Sequence, residues 1–303
     1  MKLFKFLRLI RIHQWIKNIF VFVPLLFSLN LFDEDYFITT LLAFFVFCLA
    51  SSAIYVINDL VDIESDRAHP VKKDRPLPSG DISTSSAMIT ASLLLVIVFS
   101  LMMYFNIYFI VLVVAFIVLN VLYSFWLKNI VILDVFSIAA GFSIRVLAGA
   151  FVIQVPISSW LILTTMFISL FLGVMKRRSE LVLVTENINQ KIVSADQQGS
   201  KSRKVLAHYS LNFADQMATI AATGVIVCYA LYTVAARTVS AFNTERLIYT
   251  TPFVVFGIFR FMYLEYMSGK AENTTRTLAS DIPMIINLLL YSTATVIIIY
   301  KLV

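Results

Sequence analysis

The segment from residue 55 to residue 80 holds the side chains best suited to chemistry. It reads YVINDLVDIESDRAHPVKKDRPLPSG and continues a long apolar run. Asp59, Asp62 and Asp66 are spaced i, i+3 and i+7, which places three carboxylates on one helical face, next to the Asn58 amide. Stacked carboxylates repel one another unless a cation neutralises them. Because Mg²⁺ prefers hard oxygen ligands, the spacing predicts a Mg²⁺ site formed by these four residues.

Basic residues follow the carboxylates within the same proline-rich loop. They are Arg67, His69, Lys72, Lys73 and Arg75. Carboxylates that hold a metal, next to cations that meet phosphate oxygens, suit the binding of a metal-diphosphate complex. The alternative is a charged loop at the membrane surface, made positive by topology or by anionic lipid. That alternative does not explain three aligned aspartates. We therefore expect the aspartates to be catalytic and the arginines and lysines of this loop to bind substrate.

Membrane-spanning helices must position these residues. Of the 303 residues, 60% are hydrophobic and 14% are charged, and the mean hydropathy is +0.87, which excludes a water-soluble domain. Apolar runs long enough to cross about 30 Å of hydrocarbon predict nine helices. They lie near 16–32, 36–58, 85–105, 107–127, 130–153, 157–175, 213–235, 248–267 and 281–300. The sequence thus predicts an all-α membrane protein with one domain over 1–303, with eight or ten spans as alternatives.

The distribution of positive charge predicts the orientation of the chain. Lys and Arg accumulate on the cytoplasmic side of membrane proteins. If the N-terminus lies inside, most of the 24 Lys and Arg residues fall on that side, as do the long loops at about 59–84, 176–212 and 268–280. We interpret Lys128 and several other loop lysines as topology determinants. We expect a bacterial plasma membrane protein with a cytoplasmic active-site cavity, and no nucleic-acid partner, because no basic soluble domain is present.

Two ionisable residues lie within the predicted fifth span. Asp134 and Arg145 are 11 residues apart, about three turns, so they share one face of the helix. Each is costly in lipid and should face the bundle interior. Their separation along the helix is about 16 Å, which is too far for a direct ion pair. We expect partners on other helices or on the substrate, with an interhelical ion pair as the structural alternative.

The acidic segment resembles the first aspartate-rich motif of the UbiA superfamily of intramembrane prenyltransferases. The resemblance rests on Asn58-Asp59-x-x-Asp62-x-x-x-Asp66-Arg67, followed by His69-Pro70, Lys72-Lys73 and Arg75-Pro76. It implies nine transmembrane helices, a Mg²⁺-diphosphate site at the cytoplasmic side and a lateral opening for a lipid chain. The nine predicted spans agree, so the resemblance covers essentially the whole chain.

A second segment distinguishes branches of that superfamily. Its aromatic prenyltransferases carry another motif, roughly DxxxD, after the sixth span, where this chain reads Lys176-Arg177-Arg178-Ser179-Glu180. Together with Arg11-x-x-Gln14-Trp15-x-Lys17-Asn18 and the segment 134–149, this resembles the decaprenyl-phosphate phosphoribosyltransferase branch. The resemblance implies a 5-phosphoribosyl diphosphate donor and a polyprenyl phosphate acceptor.

This branch and the number of cations imply further roles. Two phosphorylated substrates present more anionic groups than a prenyl diphosphate and a neutral acceptor, so they call for more cations. We expect substrate to be bound also by Gln14, Lys17, Asn58, Asp134, Arg145, Lys176 and Arg177, and Glu180 to be a further metal ligand. One alternative is a UbiA-type transfer of a prenyl group to an aromatic acceptor. Another is a transporter or lipid-binding protein, which would place carboxylates near the bilayer midplane.

Overall fold

The chain folds into α-helices joined by loops and short 3₁₀ helices. The computed structural model describes residues 2–67, 72–193, 208–267 and 280–301, and no strand forms within those ranges. Sequence predictions that concern 68–71, 194–207 and 268–279, including the His69-Pro70 pair and parts of all three predicted loops, lie outside the described residues. The chain forms two units, which are taken in turn.

The first unit comprises the described residues of 1–128 together with 144–156. Its α-helices are α1 (Lys2–Leu9), α2 (Val23–Leu26), α3 (Glu34–Val61), α4 (Ile63–Arg67), α5 (Thr84–Met102), α6 (Ile107–Phe125) and the second half of α7 (Leu133–Val152). Its 3₁₀ helices are Ile12–Phe22, Lys72–Asp74 and Leu127–Asn129.

Helix α3 is the central helix of this unit. Its start is fixed by the Asp33 carboxylate, which accepts hydrogen bonds from the N–H groups of Asp35 and Tyr36. It packs against α5, α6 and the 3₁₀ helix Ile12–Phe22. The Phe47 ring is buried edge-on against Phe116, with ring centroids 5.2 Å apart. This packing fixes α3 along its length, so its last turn, which carries Asp59, has a fixed position.

The second unit comprises 129–143, 157–193 and the described residues from 208 onward. Its α-helices are the first half of α7, α8 (Ser159–Val193), α9 (Leu211–Val234), α10 (Ala236–Phe242), α11 (Thr251–Met267) and α12 (Ile282–Tyr300), with a 3₁₀ helix at Arg246–Thr250. Helices α8 and α9 form its most extensive contact. They approach closely at Gly224, where an added Cβ would lie 2.5 Å from the Phe167 ring. A small residue is therefore required at this crossing.

Eight helices of the described chain are long and apolar enough to cross a membrane. The predicted first span is instead a shorter apolar segment, Ile12–Leu26, of which 11 residues are 3₁₀ helix and 4 are α-helix. A 3₁₀ helix rises about 2.0 Å per residue, so this segment extends roughly 28 Å, close to the hydrocarbon thickness. The predicted sixth span ends at 175, whereas α8 continues to Val193. Hydropathy predicts where a helix leaves the lipid, but a helix can continue beyond that point. Residues 176–193 are therefore helical although they are not apolar.

Candidate active site

Asp59 and Asp66 converge on one arginine. Although α3 ends at Val61, the Asp62 N–H donates to the Asn58 carbonyl at 3.0 Å and the Asp66 N–H donates to the Asp62 carbonyl at 2.8 Å. The helical path therefore continues into α4. Arg75 Nη1 lies 3.2 Å from Asp59 Oδ1 and 2.6 Å from Asp66 Oδ2. Both aspartates are buried, with 2% and 3% of their surfaces exposed. Two buried carboxylates thus share one cationic nitrogen.

Two further cations complete this arrangement. Arg11, which links α1 to the 3₁₀ helix Ile12–Phe22, donates to the same Asp59 oxygen that accepts from Arg75. Lys72 Nζ lies 3.8 Å from Asp66 Oδ1. The acid-base cluster is defined as Arg11, Asp59, Asp66, Lys72 and Arg75. Its three cations outnumber its two carboxylates, which suits the binding of a further anion.

Asp62 belongs to a different contact. Its two carboxylate oxygens each lie 3.1 Å from Lys128 Nζ, and its side chain is 31% exposed. Residues i and i+7 of an α-helix differ by only about 20° around the axis, whereas i and i+3 differ by about 60°. Asp59 and Asp66 therefore point the same way, and Asp62 points to one side. Lys128, predicted to determine topology, is the partner of Asp62.

The loop after α4 holds Arg75 over the carboxylates. The Ser79 N–H donates to the Arg75 carbonyl at 3.0 Å, and the Ile82 N–H donates to the Pro76 carbonyl at 2.9 Å. Leu77 is buried at the centre of the loop. Gly80 has a φ of 81°, a left-handed conformation that glycine adopts without strain. Of the other predicted substrate-binding residues here, Arg67 and Lys73 are exposed, and Arg67 Nε donates to the Pro78 carbonyl at 3.3 Å.

Arg145 lies in the interior of the first unit. Its Nε donates to Asn18 Oδ1 at 2.7 Å, and its guanidinium lies 4.4 Å from the centroid of the Phe116 ring. Helix α7 approaches the 3₁₀ helix closely near this point. An added Cβ at Gly149 would lie 2.1 Å from the Val21 carbonyl oxygen, so only glycine fits there. The expectation of an interior position with partners on other elements is confirmed. The predicted residues Gln14 and Lys17 are half-buried on the same 3₁₀ helix.

Asp134 lies in a network of the second unit. Arg177 Nε donates to Asp134 Oδ2 at 2.6 Å, and the Tyr209 hydroxyl donates to Asp134 Oδ1 at 2.8 Å. The Ile132 N–H donates to the Tyr209 oxygen at 2.8 Å. Arg177 also donates to Glu180, three residues later on α8. The buried ion-pair network is defined as Asp134, Arg177, Glu180 and Tyr209. It matches the interhelical ion pair that was the structural alternative for Asp134.

Burial determines how this network behaves. Asp134 is 0% exposed and Arg177 is 1% exposed. Burial raises the pKa of Tyr209 to about 12, so the hydroxyl keeps its proton at neutral pH and remains a donor to Asp134. Arg177, which the sequence assigns to substrate phosphate, has its charge met by two carboxylates of the protein. Lys176, its neighbour on α8, is exposed.

Sequence reasoning missed two residues with partners in this fold. Lys128 lies 66 residues from Asp62 along the chain. Glu265 is buried on α11 and accepts a hydrogen bond from Ser179 Oγ at 2.6 Å, across 86 residues. Neither residue belongs to a motif, and neither is separated from its partner by a helical repeat. Only knowledge of which helices pack together could have identified them.

The acid-base cluster fits a magnesium ion held by two carboxylates. Among the described residues, no group of three or more His, Cys, Asp or Glu side chains could hold a metal ion. Mg²⁺, however, is commonly bound by one or two carboxylates, with waters and substrate phosphates as its other ligands. Asp59 and Asp66 already converge on a cationic nitrogen. The pair therefore has the chemistry and the spacing for this type of site.

Comparisons with known proteins identify the family of this chain. Residues 19–278 match the UbiA prenyltransferase family. A decaprenyl-phosphate phosphoribosyltransferase of Mycolicibacterium smegmatis is 34% identical over 230 residues, which are 75% of this chain and 69% of that protein. The enzyme of the same name from Corynebacterium glutamicum is 32% identical over 230 residues, which are 75% and 66% of the two chains.

A solved structure shows the same fold. The structure of a UbiA homolog from Archaeoglobus fulgidus bound to GPP and Mg²⁺ has a TM-score of 0.69 and 16% sequence identity, and the match covers 98% of this chain and 100% of that chain. The family match extends over most of the sequence, and eight helices of the described chain could cross a membrane. This protein is therefore an integral membrane protein that belongs to the UbiA prenyltransferase family.

Proposed function

We propose that this protein transfers 5-phosphoribose from 5-phosphoribosyl diphosphate to a polyprenyl phosphate and releases diphosphate. Two relatives that are 34% and 32% identical carry the name of this activity. The observation that carries the chemistry is the convergence of Asp59 and Asp66 on one cationic nitrogen, beside additional cations. We further propose a location in the bacterial plasma membrane. The bias of Lys and Arg toward the loops on one side supports a cytoplasmic position for this site.

The donor diphosphate binds at the acid-base cluster. Asp59 and Asp66 would hold Mg²⁺, with the Asn58 amide beside them; Asp62 and Glu180 remain predicted ligands. The bound metal supplies a positive charge that neutralises the departing diphosphate. Arg75 and Lys72 have side chains that are 30% and 34% exposed, so they can reach phosphate oxygens while the carboxylates stay buried. Arg67 and Lys73 add positive charge at the same loop.

The reaction breaks the bond between ribose C1 and the diphosphate oxygen. The electron pair of that bond leaves with the diphosphate, and C1 acquires positive character. An oxygen of the polyprenyl phosphate attacks C1 from the opposite face and forms the new C–O bond. A phosphate monoester is already anionic, so no general base is required. The cations of the cluster contribute by stabilising the negative charge that develops on the diphosphate.

The remaining predicted residues divide by their environment. Lys17 and Gln14, which are half-buried, would orient a substrate phosphate. Arg145 is buried with Asn18 as its partner, and Lys176 is exposed on the second unit; for both, contact with substrate remains a prediction. Arg177 and Asp134 have their charges met inside the buried ion-pair network. We therefore assign these two residues to positioning the turn of α8 that carries Lys176, without contact with substrate.

The test is transfer of label by the purified protein in detergent. The assay contains Mg²⁺, a polyprenyl phosphate and radiolabelled 5-phosphoribosyl diphosphate, and label is counted in the organic phase. We expect label in the lipid, abolished by EDTA and reduced on the order of 100-fold by Asp66→Asn. Asp35→Asn, a change of the same type at the opposite end of α3, should leave transfer unchanged. Loss of activity in both variants would contradict a specific role of the cluster.

Prenyl transfer is the second candidate, because the structural neighbour of the same fold was solved with GPP and Mg²⁺. A prenyl diphosphate would occupy the same cluster through its diphosphate. The same preparation can be offered a radiolabelled prenyl diphosphate and an aromatic acceptor. Turnover of that pair, without transfer from 5-phosphoribosyl diphosphate, would replace the first proposal with this one.

A further inference from the structure

Helix α1 contacts the loop that carries Arg75 on both sides of that arginine. Lys5 Nζ lies 2.5 Å from Asp81 Oδ1. Arg8 Nη2 donates to the carbonyl of Asp74, the residue before Arg75, at 3.3 Å. The hydrogen bond from Lys5 lowers the pKa of the Asp81 carboxyl, so this carboxyl is charged at neutral pH. The two contacts attach the residue before Arg75 and a residue six positions after it to one short helix.

Apolar packing adds a third attachment between the same elements. Leu9, the last residue of α1, is fully buried in a cluster with Leu77 from the centre of the loop. Val56 of α3 belongs to the same cluster, so the loop also packs against the helix that carries Asp59. Polar contacts at Asp74 and Asp81, with the buried Leu77 between them, restrict the movement of residues 74–81 relative to α1.

The other side of α1 is apolar. Its sequence is KLFKFLRL, and Phe6 and Leu7 are exposed while Lys5 and Arg8 contact the loop. A helix with cations on one face and exposed apolar side chains on the other is typical of the membrane interface. From α1 the chain passes directly to Arg11, which binds Asp59. The helix is thus connected to the acid-base cluster both through the loop and through the backbone.

We propose that α1 holds the loop in place and thereby positions Arg75 for the donor diphosphate, with Lys5, Arg8 and Leu9 as positioning residues. Helix α1 (Lys2–Leu9) in this role is called the strap. The inference rests on the proposed function, since that function assigns Arg75 to the donor. The strap holds the guanidinium beside Asp59 and Asp66, so the cation does not have to be ordered when the donor binds. Pre-ordering of this kind increases affinity for the group that the cation meets. It has no effect on affinity for the acceptor.

A membrane anchor without this coupling is the competing explanation of α1. In that case Lys5 binds lipid headgroups, and the charge at Asp81 does not affect the affinity for the donor. The two explanations differ in what happens when the Lys5–Asp81 pair is reversed. Reversal of either residue alone opposes two like charges, whereas reversal of both restores an attractive pair.

The experiment compares Lys5→Asp, Asp81→Lys and the double reversal in the full-length protein in detergent. We expect each single change to raise the donor KM about two- to five-fold, the range of an exposed ion pair, and to leave the acceptor KM unchanged. The double reversal should return the donor KM to that of the unmodified protein. Asp35→Lys, a charge reversal at the far end of α3, serves as the matched control.

A second measurement does not depend on the reaction. Trypsin cleavage after Lys72 or Lys73 reports on how firmly the loop is held, and it is measured without substrates. The fragments are identified by mass, so that cleavage at the lysine introduced by Asp81→Lys is not counted. We expect faster cleavage in each single reversal and normal cleavage in the double reversal. If the protein transfers no phosphoribose, the proposed function fails, yet the cleavage rates still decide whether the strap holds the loop.

Two results would overturn the proposal. The first is a double reversal that is cleaved as fast, or binds donor as poorly, as the single reversals. The second is a set of single variants with reduced kcat but unchanged donor KM and cleavage rate, because that pattern means less folded enzyme and not a displaced Arg75.

Discussion

The acid-base cluster and the buried ion-pair network contain the same residue types in different environments. In the cluster, the carboxylates of Asp59 and Asp66 are buried, but Arg75 and Lys72 remain about one third exposed. In the network, both Asp134 and Arg177 are buried and Tyr209 completes the hydrogen bonds of the carboxylate. Partly exposed cations can exchange a protein carboxylate for a substrate phosphate. Fully buried charges cannot, because each would be left without its partner in a medium of low dielectric.

This difference separates effects on activity from effects on stability. Removing one member of a buried ion pair leaves an uncompensated charge inside the protein, so the network should control the free energy of unfolding. Removing a carboxylate of the cluster leaves cations that solvent can reach, so the fold should tolerate the change while the reaction does not. Variants of the two regions should therefore fail in different assays.

The largest expected effect is on stability, in Arg177→Met. Methionine removes the cation and leaves Asp134 buried without its ion-pair partner, so we expect the free energy of unfolding to fall by about 3–5 kcal/mol. Thermal unfolding in detergent measures it. The matched control is Arg178→Met at the next position, where the side chains of Arg178 and Asp215 are 13% and 37% exposed, and the loss should be smaller, about 1 kcal/mol. Equal melting curves for the two variants would contradict the contrast between a fully buried pair and a partly exposed one.

The next effect is on catalysis, in Asp66→Asn. The amide is similar in size and its oxygen can still accept from Arg75, but the negative charge is lost. We expect transfer to fall on the order of 100-fold, with a thermal midpoint close to that of the unmodified protein. The reaction rate and the melting curve are measured on one preparation. A variant that loses activity only in proportion to folded protein would place Asp66 with the structural residues.

Hydropathy predicted the fold because a lipid solvent admits few alternatives to the helix. Seven of the nine predicted spans match helices of the structure and needed no tertiary knowledge, but two features did. The segment Ile12–Leu26 is too short for a standard α-helical span, and its 3₁₀ geometry depends on packing against α3. Helix α8 continues through residues 176–180, whose sequence is KRRSE. Lys, Arg and Glu are good helix formers even beyond the apolar part of a span.

Local spacing predicted part of the site, and long-range packing determined the rest. The i, i+7 relation of Asp59 and Asp66 is a property of one helix, so it can be read from the sequence. The pairing of Asp62 with Lys128, across 66 residues, depends on how α6 is placed beside α3. Tyr209 reaches Asp134 across 75 residues, and no periodicity relates them. Spacing identifies side chains on a common face, but it does not identify their partners.

A smaller effect on catalysis is expected for the third carboxylate, and it sharpens the division within the acidic motif. Asp62→Asn removes the charge that pairs with Lys128, and we expect transfer to fall about 10-fold, which is less than for Asp66→Asn. Lys128→Met should have a similar effect. Because the two residues form one pair, the double variant should be no worse than either single variant. Additive losses would mean that Asp62 and Lys128 contact different groups of the substrate.

The last expected effect is on stability, for Tyr209→Phe, which removes one hydroxyl from the buried ion-pair network. Asp134 loses one donor but keeps Arg177, and the Ile132 N–H loses its acceptor, so we expect a loss of about 1–2 kcal/mol in the free energy of unfolding. Because burial raises the pKa of Tyr209 to about 12, the hydroxyl is protonated throughout the range from about pH 6 to about pH 9. The difference in the free energy of unfolding between the variant and the unmodified protein should therefore be the same at about pH 6 and at about pH 9. A difference that shrinks as the pH rises would mean that Tyr209 loses its proton there, and Asp134 would then depend on Arg177 alone.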